Sequence, residues 1–165
     1  MTAALTPALA LDYLHALSAD LRAAVVLDAR GECLAGPPAL GEAARVVLVD
    51  YPRGARGDSG RAQPAPEAVG ETVPGAQAES APGPTLFEGV TEAGSVFAAR
   101  DDRHTIVAVT GPHALSRLSR HDVRSALAAL GGVNAVDGPP TRLSPPAVSA
   151  LLGAADDGFR RPRAV

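Results

Sequence analysis

Ala23–Gly36 reads AAVVLDARGECLAG, and the fold turns on how its first half is taken. Ala24-Val25-Val26-Leu27 is unbroken apolar sequence with two adjacent β-branched residues, whereas a strand with one wet face would alternate. We therefore read Ala23–Asp28 as a strand covered on both faces in the middle of a sheet. Asp28-Ala29-Arg30-Gly31 is a turn ending on the residue that tolerates positive φ, and it leads into a second short strand, Glu32–Gly36. Thr105–Thr110, TIVAVT, has the same unbroken character and predicts a second central strand.

The whole chain has 165 residues, enough for one domain of ordinary size with material to spare. Aromatic residues make up only 3%, so the core must be built from Leu, Val and Ala. A formal charge of −3 is too small to make nucleic acid or an anionic membrane an obligate partner. All 15 basic residues are Arg, and the absence of Lys excludes a P-loop of the usual kind and a Schiff-base cofactor site. Cys33 is the single cysteine, which excludes an internal disulfide and a Cys-rich zinc site and fits a reducing compartment. The first residues carry no cationic leader, Asp12 and His15 interrupt their apolar run, and no stretch approaches the roughly twenty apolar residues of a membrane span. The expectation is a cytoplasmic protein with no membrane partner, no nucleic acid and no cofactor.

Working outward from the central hairpin, Thr6-Pro7 opens a helix, Thr as N-cap and Pro at the first helical position. Ala10, Leu14, Leu17 and Leu21 form its apolar stripe, and the helix is expected to end near Leu21. Beyond the hairpin, Pro37-Pro38 ends any central strand, and Ala39–Tyr51 mixes a helical LGEAAR with a strand-like VVLV; we read a short helix. Tyr51–Pro84 holds six Pro and six Gly in 34 residues, above the roughly 25–30% share of low-complexity sequence, and is expected to be a disordered insertion. Three strand-like runs follow, Thr85–Thr91, Ser95–Arg100 and His104–Thr110, joined by turns short enough to require an antiparallel meander. A last helix is predicted from Pro112 to Leu130, stopped by Gly131-Gly132. Residues 132–165 are again rich in Pro and Gly: Ser144-Pro145 caps one short helix through Leu152, and the remainder is expected to be a loose tail. The domain map is thus a single domain over 1–131, interrupted at 51–84, and a tail.

The class is α+β. If both unbroken strands are central, Ala23–Asp28 lies beside Thr105–Thr110, and a five-stranded antiparallel sheet in the order 2-1-5-4-3 satisfies every hairpin without crossing connections. This arrangement leaves Glu32–Gly36 and Thr85–Thr91 as the edges. A Leu-rich N-terminal helix, an apolar strand turning through D-x-x-G at Asp28–Gly31, a meander, and the strand Ile106–Gly111, IVAVTG, leading into a helix together resemble the roadblock/light-chain-seven family. The resemblance covers Leu9–Gly36 and Thr85–Leu130. It implies a profilin-like fold and a small scaffold or regulator that dimerises, binds other proteins such as Ras-like small GTPases, and does no covalent chemistry itself.

Candidate chemistry is sparse. Gly57-Asp58-Ser59-Gly60 looks like a protease nucleophile segment, and Arg56-Gly57-Asp58 like an adhesion tripeptide, but both sit in the Gly/Pro-rich insertion without flanks to hold a geometry, and neither is given a role. His15, His104, His113 and His121 show no metal-ligand spacing. Cys33 is read as a small buried apolar residue. Arg117, Arg120 and Arg124 stack on one helix face opposite Leu115, Leu118, Ala126 and Leu130; the stripe is either ordinary solvated surface or a dock for an acidic partner. No catalytic or metal residue is assigned.

The functional expectation is a non-enzymatic, homodimeric interaction module, with a small-molecule sensor of the profilin or PAS type as the alternative. The dimer is expected through the edge strand Thr85–Thr91, TLFEGVT, whose Leu86, Phe87, Glu88 and Val90 carry a single charge and no proline to blunt pairing.

Overall fold

The computed structural model describes residues 4–51, 85–131 and 140–160. The insertion expected at 51–84 lies, apart from Tyr51, outside the described residues, as do 132–139 and 161–165 of the expected tail. The described elements run α1 (Pro7–Leu17), β1 (Leu21–Asp28), β2 (Cys33–Ala35), α2 (Pro38–Val49), β3 (Thr85–Thr91), β4 (Gly94–Arg100), β5 (His104–Thr110), α3 (Ser116–Ala129), β6 (Thr141–Arg142) and α4 (Pro145–Arg160). The class is α+β, with helices on both faces of one sheet.

β1 and β5 are central and antiparallel, with Val25 opposite Val107 and Ala24 opposite Ala108. Because strand side chains alternate, the unbroken apolar runs feed two cores at once. Val25, Leu27, Phe87, Val96, Ala98, Val107 and Val109 point to the face covered by α2 and α4. Ala24, Val26, Leu86, Phe97, Ala99, Ile106 and Ala108 point to the face covered by α1 and α3. The Asp28–Gly31 turn is held by the Asp28 carboxylate, which accepts the backbone N–H groups of Arg30 at 2.7 Å and Glu32 at 2.9 Å, and Gly31 takes a φ of 84°. Those backbone donors, that of Glu32 foremost, hold the carboxyl below the usual aspartate range.

The strand order is β2-β1-β5-β4-β3-β6. The five strands read from the sequence keep their expected order, but the sheet has six strands and is mixed. β6 pairs in parallel with β3, Phe87 opposite Thr141 and Glu88 opposite Arg142, and the Leu143 N–H donates to the Glu88 carbonyl at 2.8 Å. The expectation that Thr85–Thr91 is an edge is therefore corrected: its outer side is occupied by the chain's own C-terminal segment.

That segment also departs from the expected loose tail. The helix starting at Pro145 continues past Leu152 to Arg160 and sends Val148, Leu151, Leu152 and Ala155 into the core, preceded by Leu143. It lies so close over β3 that a Cβ on Gly89 would come within 2.1 Å of Val148 Cγ2, so any larger residue there would force α4 or the Val148 side chain to shift. The short helix expected at 39–51 forms as α2, with Leu40, Ala44, Val47 and Leu48 turned to the core.

Three local expectations change. α1 ends at Leu17 rather than Leu21, and its buried stripe is Ala10, Leu11 and Leu14. α3 begins at Ser116, and its core face is Ser119, Asp122, Val123, Ala126 and Leu127, so Leu115 and Leu118 are not on it. Cys33 is exposed rather than buried, because β2 lies at the sheet edge; desolvation pushes its thiol above the ordinary value, opposite to a reactive cysteine.

Candidate interaction face

The residues expected to form a dimer seam on β3 do not share one open surface. Leu86 and Phe87 are buried on opposite faces of the sheet, and Glu88 is buried against α3, its Oε2 3.8 Å from Arg120 Nη1. Val90 alone of the four is open, at 54% exposure.

The arginine stripe is divided by the same ion pair. Arg120 is half-buried; it leans toward β3 and its Nε donates to the Ser116 carbonyl at 3.3 Å. Arg117 stands exposed, and Arg124 is half-buried. Val90 lies on the same face of β3 as Glu88, two residues further along. Val90 pairs with Ser95, which pairs with Thr110, and Thr110 precedes α3 by a few residues. Val90 and the arginines thus lie toward one side of the molecule, the flank of α3 that looks to β3.

The other flank of α3 looks to α1 and carries the exposed Leu118. α1 and α3 pack side by side on the sheet. The Leu5 N–H donates to the Ala129 carbonyl at 2.8 Å at one end, and the Gly111 N–H to the Asp20 carbonyl at 3.1 Å at the other. The two helices are therefore antiparallel and aligned along their length. At 100° per residue, Leu118 falls on the side of α3 opposite Arg120, hence toward α1. On α1, Ala8, Asp12 and His15 border a cleft with Ala35 of β2, away from α3. Leu9, Tyr13 and Leu17 occupy the opposite flank, toward α3. Leu9 (51%), Tyr13 (39%), Leu17 (42%), Leu118 (52%) and Leu115 (69%) are all exposed. They bracket the groove between the two helices, where apolar side chains recur on both walls. Sequence reasoning missed this strip, although a signal was present: Leu9, Tyr13 and Leu17 recur at i, i+4 and i+8 beside the buried stripe.

Among the described residues no group of three His, Cys, Asp or Glu side chains is placed to hold a metal ion, and no helix is long and apolar enough to cross a membrane. Among the described residues two surface clefts stand out. One, of about 240 Å³, lies between Leu27, Arg30, Arg45, Tyr51 and Arg100; the other, of about 310 Å³, lies between Asp12, His15, Arg22 and Ala155. Both are at or below the small end of ligand pockets, roughly 300–1,000 Å³. In the first, Arg45 is taken up by Glu42 at 2.6 Å, and the Arg100 guanidinium donates to the Leu48 carbonyl at 3.3 Å and to the Tyr51 carbonyl. Arg100 is thereby tied to the C-terminal end of α2, while Arg45 is paired at the surface.

No protein-family model matches the chain, and no curated protein or solved structure matches it.

Proposed function

We propose that the chain is a non-enzymatic protein-interaction module, a cytoplasmic regulator of the kind its sequence resembles, acting on a small Ras-like GTPase. The observation that carries the reading is the asymmetry of α3. Its flank toward β3 presents Arg117, Arg120 and Arg124 on the side of the molecule where Val90 is exposed, while its flank toward α1 carries the exposed Leu118. Guanidinium groups next to an exposed aliphatic residue suit a partner surface that is acidic with an apolar centre. Five strands keep the order read from the sequence, and both clefts are small for a sensor pocket.

The test is calorimetric titration of the full chain with the purified Ras-like GTPases of the source genome, each loaded with GDP or a GTP analogue. Saturable binding is expected for one GTPase, stronger in one nucleotide state. Arg117→Glu with Arg124→Glu is expected to weaken it by at least about tenfold, with circular dichroism checking that the double variant keeps its fold. Absence of binding to every GTPase, or binding indifferent to the double substitution, overturns the reading.

A further inference from the structure

We infer that the groove between α1 and α3 docks an apolar segment of another protein that carries one arginine or lysine, and that this basic side chain pairs with Asp122. The site lies apart from the arginine flank of α3 and does not depend on the function proposed above.

Asp122 is 3% exposed, and among the described residues its Oδ2 has no hydrogen-bond partner. A buried polar atom left in this way is rare in a folded chain, and departures of this kind collect at functional sites. Helix geometry places the carboxyl. At 100° per residue, Asp122 lies about 40° around α3 from the exposed Leu118 and about 20° from Ala129, whose carbonyl accepts the Leu5 N–H from the chain entering α1. It therefore sits on the flank of α3 that faces α1, between the exposed rim and the core side chains Val123 and Ala126. Interpolation between the Leu5–Ala129 and Asp20–Gly111 contacts sets it at a height between Leu9 and Tyr13 of α1. Leu9, Tyr13 and Leu118 are exposed around it. Val46 and Val49 of α2 and Leu34 of β2 are exposed to a similar degree; what separates the α1/α3 strip from them is the buried carboxyl at its centre.

The chemistry of the occupant follows from that centre. An acid buried without a donor is complementary to a cation, and its desolvation is borne by the folded chain before any partner arrives, so a pairing cation recovers what the fold has lost. Burial pushes the Asp122 carboxyl above the ordinary aspartate value, and a cation beside it acts in the opposite direction. Arginine and lysine carry their charge on an aliphatic stem that packs along apolar side chains. That is the shape needed to pass Leu9, Tyr13 and Leu118 and reach the carboxyl below them, and a tyrosine at the rim adds attraction for a cation. Apolar residues on either side of the basic one cover the rim and exclude water from the pair, as the contacts around an interface hot spot do.

Fluorescence anisotropy of the full chain tests the proposal with three labelled synthetic helical peptides, each leucine-rich on one face and carrying arginine, glutamine or glutamate at the centre of that face. The arginine peptide is expected to bind at least about tenfold more tightly than the glutamine peptide, and the glutamate peptide not to bind. Asp122→Asn is expected to abolish the preference for arginine while raising the thermal midpoint; a carboxyl with a structural role alone would move the midpoint and leave the preference intact. Leu118→Arg supplies a cation one turn from Asp122 within the chain and is expected to block the arginine peptide. Arg117→Glu with Arg124→Glu is expected to leave peptide binding unchanged, which separates this groove from the GTPase surface. Equal binding of the arginine and glutamine peptides, no binding of any peptide at about 1 mM, or an Asp122→Asn variant that keeps the preference overturns the inference. So does sedimentation of the chain as a dimer that Leu118→Arg dissociates, which puts a second copy in the groove.

Discussion

Among the charged side chains buried on the two faces of the sheet, Arg100 on one and Asp122 on the other are held differently. On the α2/α4 face, Arg100 reaches from the end of β4 to the C-terminus of α2, where its guanidinium donates to the Leu48 and Tyr51 carbonyls. Its carbon lies 4.9 Å above the centre of the Phe87 ring, and Tyr51 meets that ring edge-on at 5.6 Å. The Tyr51 hydroxyl in turn accepts the Ser144 N–H at 3.2 Å. One cation therefore ties α2, β3, β4 and the start of α4 together, at the negative end of a helix that favours it. On the α1/α3 face, Asp122 is 3% exposed, and among the described residues no donor reaches its Oδ2. Burial pushes its carboxyl above the usual aspartate value, with the neighbouring His121 only partly offsetting the effect. A buried charge strengthens a fold when carbonyls and a ring face receive it and weakens the fold when they do not.

The largest effects expected are in the two apolar cores. Leu151→Ala on α4 and Leu127→Ala on α3 remove side chains that are each 1% exposed, and each is expected to cost about 3 kcal/mol in urea denaturation. Equal losses would establish that the C-terminal helix belongs to the core as fully as α3 does; a negligible loss for Leu151→Ala would return it to the status of a tail. Arg100→Met comes next, at about 2–3 kcal/mol, because it removes charge-assisted hydrogen bonds and the ring contact while keeping most of the volume. A cost below about 0.5 kcal/mol would remove the contrast between the two charges.

Asp122→Asn is expected to act in the opposite direction, raising stability at neutral pH by about 1 kcal/mol. The sign follows from linkage. A carboxyl whose folded pKa is raised binds its proton more tightly in the folded state, so its contribution is greatest below the unfolded value of about 3.9 and is lost as pH rises through the folded value. The wild-type chain is therefore expected to lose stability relative to Asp122→Asn as pH climbs from about 4 toward neutrality, and parallel pH profiles would show that the carboxylate finds a partner. Tyr51→Phe is the smallest change, about 0.5 kcal/mol, since it keeps the ring on Phe87 and removes only the acceptor for Ser144.

Much of the architecture was legible because strand patterning is local. Ala24-Val25-Val26-Leu27 and Ile106-Val107-Ala108-Val109 are apolar without a break, which only a strand between two covered faces requires, and placing both at the centre determined the order of five strands. The D-x-x-G turn and the proline at the start of α1 were equally local signals. Helix rotation was not local: Leu17, Leu115 and Leu118 have the composition of core residues, and only the neighbouring helix and strands decided that Leu11, Asp122 and Val123 turn inward instead. The Arg100 clamp was illegible because its acceptors lie 52 and 49 residues away along the chain. So was β6, a two-residue strand that no period can reveal and that exists because β3 offers it unpaired backbone groups. The sequence by itself determined which segments are strands and which of them are central, since burial on both faces must be written into consecutive side chains. Tertiary structure alone decided which edge stays open, which helix faces stay wet and which buried charge finds a partner, because each of these depends on what the rest of the chain brings alongside.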